Sequence, residues 1–156
     1  MNDTTPQLPT PDPALRALDR FVGTWRMSGG FVGSDEVNVT GEMTYRWLPG
    51  GFFFEQSGHI EFGPMHIEST EIISYDPETG TYPSQVFSNM APTPLPYRWS
   101  IDGDDVTITV THGPLDATFT GRFSEDGNTF SGGWRPNPGA DPMVNVAYDV
   151  SGSRVG

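Results

Sequence analysis

Beyond residue 22 no apolar run lasts long enough to make a packed helix before a turn signal cuts it. The interruptions are Pro49-Gly50-Gly51, Gly63-Pro64, Asp76-Pro77-Glu78-Thr79-Gly80, Asp102-Gly103-Asp104, Gly113-Pro114, Ser124-Glu125-Asp126-Gly127-Asn128 and the loop 136–142. Between them apolar and polar residues alternate, the period of a half-buried strand. Strands are expected at Thr24–Phe31, Val37–Leu48, Phe52–Phe62, Met65–Tyr75, Thr81–Met90, Tyr97–Ile101, Val106–His112, Leu115–Phe123, Thr129–Arg135 and Met143–Ser151. About ten strands at hairpin spacing, with no crossover helix, leave two exposed edges unless the sheet closes. The expected fold is therefore all-β, an antiparallel up-and-down barrel, with a two-sheet sandwich as the alternative. One short helix precedes it: Asp12 reads as an N-cap, Pro13 as the first helical residue, and Leu15, Leu18 and Phe21 or Val22 recur at helical spacing before Gly23. Residues 1–12, rich in Pro and Thr, read as a flexible segment, and 13–156 as one barrel domain.

Composition removes several function classes. The net charge is −12, all eight basic residues are Arg, and there is no Lys. Such a chain repels phosphate backbones and anionic lipid heads, so neither nucleic acid nor membrane is an expected partner. With no Cys there is no disulfide framework, thiolate metal site or thiol nucleophile. The first residues lack the charged and apolar regions of a signal peptide, and the expected location is the cytoplasm.

The stretch Trp47–Tyr82 can be read face by face. If Gly63-Pro64 is the reversal, Phe62 faces Met65, Ile60 faces Ile67, Gly58 faces Ser69, Gln56 faces Glu71 and Phe54 faces Ile73, all on the inward side. Outward, His59 meets Glu68 and His66 meets Glu61, which makes both histidines ordinary cross-strand partners and leaves no metal site. An unpaired carboxylate inside a packed core costs several kcal/mol. Glu71 therefore calls for a hydrated cavity, an internal Arg partner, or a bulge that turns it outward. Interior side chains selected as candidate ligand contacts are Trp25, Met43, Tyr45, Phe54, Gln56, Ser69, Glu71, Tyr97, Trp99, His112, Phe119 and Trp134. On the outer face Phe53, Ile72 and Phe87 are apolar on successive strands, a candidate homodimer surface.

Phe21-Val22-Gly23-Thr24-Trp25 resembles the Gly-x-Trp opening of the calycins, the group of lipocalins and fatty-acid-binding proteins. With Trp47-Leu48-Pro49-Gly50-Gly51-Phe52-Phe53, the run Ile73–Tyr82, and Phe123–Thr129 leading to Gly133-Trp134, the chain is similar to a bacterial calycin-like family of unknown function over about Phe21 to Tyr148. The resemblance implies a barrel with room for a small molecule and no defined activity. It also implies that an Arg late in the chain, Arg154 before Arg122 or Arg135, stacks on Trp25. The related nitrobindin-like barrels hold haem through a late histidine; this sequence has none after His112, and no cofactor is expected.

These readings lead to three functional expectations. The first is a carrier or sensor for a small, largely apolar molecule, not an enzyme. The second is an isomerase, cyclase or hydrolase with Glu71 as acid–base and His112 or Tyr45 assisting; no Ser-His-Asp order, nucleophile elbow, Walker loop or HExxH supports it. The third is an assembly module using the Phe53–Ile72–Phe87 face.

Overall fold

The computed structural model describes residues 5–155. Ten strands form: β1 (Gly23–Phe31), β2 (Val39–Trp47), β3 (Phe54–Phe62), β4 (Met65–Ile73), β5 (Tyr82–Ser88), β6 (Leu95–Asp102), β7 (Asp105–His112), β8 (Leu115–Phe123), β9 (Thr129–Pro136) and β10 (Tyr148–Val155). Each pairs antiparallel with its neighbours in sequence, and β10 returns to β1, so the sheet closes as an up-and-down barrel. Closure satisfies the edge strands that a sandwich would leave open.

The β3–β4 register is the one expected from Gly63-Pro64: Phe62 pairs with Met65, Gln56 with Glu71 and Phe54 with Ile73. Gly63 has φ +56, the sign that a type II′ hairpin needs at its first central residue, and Gly113 before Pro114 repeats it at φ +57. His66 is hydrogen-bonded to Glu61 and, at 3.2 Å, to Glu68, on the exposed wall.

The helix Pro13–Phe21 is a 3-10 helix. Its three-residue turn puts Leu15, Leu18 and Phe21 on one buried face, whereas Val22 is exposed. Asp12 caps it, accepting from the Ala14 amide at 2.9 Å. The Tyr82 hydroxyl donates to the Ala14 carbonyl at 2.6 Å and ties the helix across one end of the barrel. Residues 5–12 carry no helix or strand; positions 1–4 of the expected flexible segment lie outside the described residues.

Strand ten is a correction. Met143–Ala147 is not strand; the ladder with β9 begins at Tyr148 and β10 runs on to Val155. Asn145 explains this. Its Oδ1 accepts from the Asp116 amide at 2.9 Å, and its Nδ2 donates to the carbonyls of Pro114 and Asp141 at 3.1 Å. These bonds fold the segment over the β7–β8 end of the barrel, so Val144 and Val146 imitate strand alternation without joining the ladder.

Candidate functional site

The interior divides into two halves. In the half beside the helix, side chains fill the lumen. Trp25, Tyr45, Phe54, Ile73, Tyr82, Trp99, Val106 and Phe123 are buried there with the helix residues Leu15, Leu18 and Phe21. The Phe21 ring lies 5.2 Å from Tyr45, 5.6 Å from Trp99 and 4.8 Å from Phe123, centroid to centroid. Arg154 seals this end. Its guanidinium stands 4.4 Å over the Trp25 ring and donates to the carbonyls of Val22 at 2.5 Å and Arg20 at 2.6 Å. The tryptophan in turn donates to the Phe21 carbonyl at 2.8 Å. This is the arrangement that the Gly-x-Trp resemblance implied.

Above the aromatic plug lies a thin polar layer. Glu71 is 6% exposed, and its Oε2 accepts from Ser84 Oγ at 2.6 Å and from Trp99 Nε1 at 2.8 Å. Of the three ways expected to accommodate this carboxylate, an Arg partner is not found: among the described residues Glu71 makes no ion pair. Burial pushes its pKa up, against the downward pull of the two hydrogen bonds. Gln56 is bonded too, donating from Nε2 to the Tyr45 hydroxyl at 2.5 Å. Burial also raises the Tyr45 phenol. Gln56 and Glu71 thus find partners on β2, β5 and β6, which offsets the cost of burying them.

The half away from the helix is open. A cavity of about 620 Å³ lies between the upper turns of β3–β8 and the ends of β9 and β10. Its wall is mainly apolar, with Ile60, Phe62, Ile67, Val86, Leu95, Val110 and Ala117, and Met143, Val144 and Val146 from the folded-over segment. Its polar groups are Ser69, Ser88, Tyr97, Trp134, Asn145 and Tyr148. Tyr97 of β6 and Trp134 of β9 meet across the lumen edge to face, centroids 5.8 Å apart, with Phe119 5.6 Å from Trp134. Burial, then the nearby Glu71, pushes the Tyr97 phenol up to about 12, so it stays a proton donor at neutral pH.

Of the candidate contacts, Ser69, Tyr97 and Trp134 line this cavity. Trp25, Met43, Tyr45, Phe54, Trp99 and Phe119 belong to the packed cluster, while Gln56 and Glu71 form the polar layer. His112 is exposed at the end of β7 and is not among the lining residues. It lies four residues, or about 13 Å of strand, beyond Ile108, which pairs with the Trp99 that holds Glu71. The two acid–base candidates stand on different levels, without a shared space between them. Tyr148 and the Met143–Val146 segment were missed. Placing Arg154 on the last strand, as the resemblance implied, would have required that strand to run past Ser151 and so would have turned Tyr148 inward. On the outer wall Phe53, Ile72 and Phe87 share a groove with Pro83 and Pro96.

Among the described residues no helix is long and apolar enough to cross a membrane, and no cluster of His, Asp and Glu could hold a metal ion. Residues 10–130 match the family described as "Protein of unknown function (DUF1579)". No curated protein matches the sequence significantly. Among solved structures, Rv2717c from M. tuberculosis shares the fold, with a TM-score of 0.60 over 94% of this chain and 99% of its own at 14% identity.

Proposed function

For a chain that belongs to the DUF1579 family of unknown function, we propose a binding role: the barrel takes one small, largely apolar molecule in its upper half, as a carrier or sensor. One observation carries this reading, an apolar cavity of about 620 Å³ beside a lower half packed solid. That volume is within the usual range of small-molecule sites, roughly 300–1,000 Å³. The Gly23-Thr24-Trp25 opening sealed by Arg154 supports a calycin-like reading of the closed end, which would make the far end the route of entry. Exposed Met65, Met90, Met143 and Val144 surround that end, and flexible thioethers suit a mouth that adapts to what passes.

Nile red, a neutral dye that brightens in apolar surroundings, provides the test. Wild type is expected to bind one equivalent saturably. Val110→Trp, which projects into the cavity, is expected to abolish binding while leaving a cooperative thermal transition, and Ile67→Phe is expected to weaken it. A folded wild type that does not brighten the dye, or dye binding indifferent to both substitutions, would contradict the reading.

A further inference from the structure

We propose, on the strength of the cavity reading above, that the site selects neutral apolar molecules carrying a hydrogen-bond-accepting oxygen, such as long-chain ketones, and discriminates against alkanoates. Three donors in the cavity wall carry the argument: the hydroxyls of Tyr97 and Tyr148 and the indole N–H of Trp134. None of the three makes a hydrogen bond within the described structure. No buried polar side-chain atom there lacks a partner, so these three atoms keep accessible surface. They come from β6, β9 and β10, and the Tyr97 and Trp134 rings touch across the lumen. The cavity's buried amide, Asn145, has both its donor hydrogens engaged by the carbonyls of Pro114 and Asp141, and its oxygen accepts from the Asp116 amide.

The charges lie elsewhere. Arg46, Arg98, Arg122 and Arg135 are on the outer wall, paired with Glu55, Asp76, Asp105 and Asp149. Arg16 and Arg20 are on the helix, paired with Asp19 and with Asp104 of the β6–β7 turn, Arg154 seals the closed end, and Arg26 is exposed. Among the described residues no cationic side chain lines the cavity. A carboxylate entering it would give up its water for phenols and hydrocarbon, with Glu71 close below Tyr97 and a chain of net charge −12 around it. A plain hydrocarbon would strand the three donors away from water. A neutral ligand with an acceptor oxygen avoids both costs. The phenols suit this role because burial raises the pKa of Tyr97 and Tyr148, which keeps both protonated.

The experiment is displacement of Nile red by methyl nonyl ketone or by undecanoate, which have the same number of carbons, at about pH 8 where alkanoates are ionised. The ketone is expected to displace the dye at a concentration about tenfold or more below that of undecanoate. Tyr97→Phe and Tyr148→Phe each remove one donor and little volume, and Trp134→Phe removes its donor together with part of the indole. At least one is expected to raise the ketone's own Kd about threefold or more, obtained from the displacement with each variant's dye affinity measured first, because Nile red lies against the same side chains and carries a carbonyl of its own. Undecanoate binding as well as the ketone overturns the selection, as does a ketone affinity unmoved by all three variants. Failure of the dye itself to bind folded wild type overturns the cavity reading, and this selection with it.

Discussion

Phe54 and Phe62 lie on the same strand, point into the same barrel and differ in what faces them. Phe54 is fully buried among Tyr45, Trp47 and Ile73, and Phe62 borders open space beside Tyr148. Phe54 faces the helix end, where Phe21 enters the lumen from below and the rings fill it. Among the described residues no helix enters the other end, and the segment around Asn145 covers it only in part. The closed end supplies the packed core, and the open end keeps the unfilled space on which the proposed binding role rests.

The largest effects should separate these halves. Phe54→Ala is expected to cost about 3–5 kcal/mol, the price of an aromatic cavity in a packed core. Phe62→Ala, whose ring already lacks neighbours on one side, should cost about 1 kcal/mol. Urea denaturation of the two variants measures the difference, and equal costs would remove the distinction between the halves. Arg154→Ala comes next, at about 2 kcal/mol, because it loses charge-assisted bonds to two carbonyls and the contact over Trp25. Lys at this position cannot reproduce the planar fork and should recover little. Neither change should alter dye affinity in the folded protein, since the proposed site lies at the other end.

Glu71 makes a smaller, pH-dependent prediction at the border between the halves. Its raised pKa means that the folded protein holds this proton at pH values where the unfolded chain has released it. The group's contribution is therefore complete below the ordinary carboxylate range and is lost as pH rises through the raised value. Glu71→Gln keeps an oxygen for Ser84 and Trp99 and has no proton to lose. It should match wild type in acid and exceed it by about 1 kcal/mol near neutral pH and above, seen as a gap between melting temperatures that opens with pH. A gap that closes as pH rises would contradict the assignment. The smallest effect is expected from Ala117→Val in the cavity wall: within about 0.5 kcal/mol, where the same enlargement in a filled core costs about 1–3.

How much of this the sequence discloses depends on the range of the interaction concerned. The β3–β4 register follows from a two-residue turn and one buried face, both local, and every pair from Phe62–Met65 to Phe54–Ile73 is as expected. The inward parity of Val106, Ile108 and Val110 is equally readable. Partners that depend on closure are not. Ser84 and Trp99 reach Glu71 from β5 and β6, and nothing in the spacing of those residues announces it. Gln56 and Glu71 stand out in the sequence because inward polar groups conflict with burial; the fold resolves that conflict internally, and among the described residues the ring donors of Tyr97, Trp134 and Tyr148 are left unbonded at the cavity. Which half is filled was also unreadable, because it depends on the helix entering one end and on ring volumes summed around the lumen. The segment before β10 was misread because Val144 and Val146 alternate like a strand, and only the bonds of Asn145 decide otherwise.

The contrast between the halves is tested most directly by a crystal of the protein pressurised with xenon, which settles in apolar space not filled by side chains. Xenon is expected in the upper half, against Ile67, Val86 and Val110, and nowhere among Trp25, Tyr45 and Phe54. Xenon inside the lower cluster, or a barrel that takes up none in either half, would contradict the account.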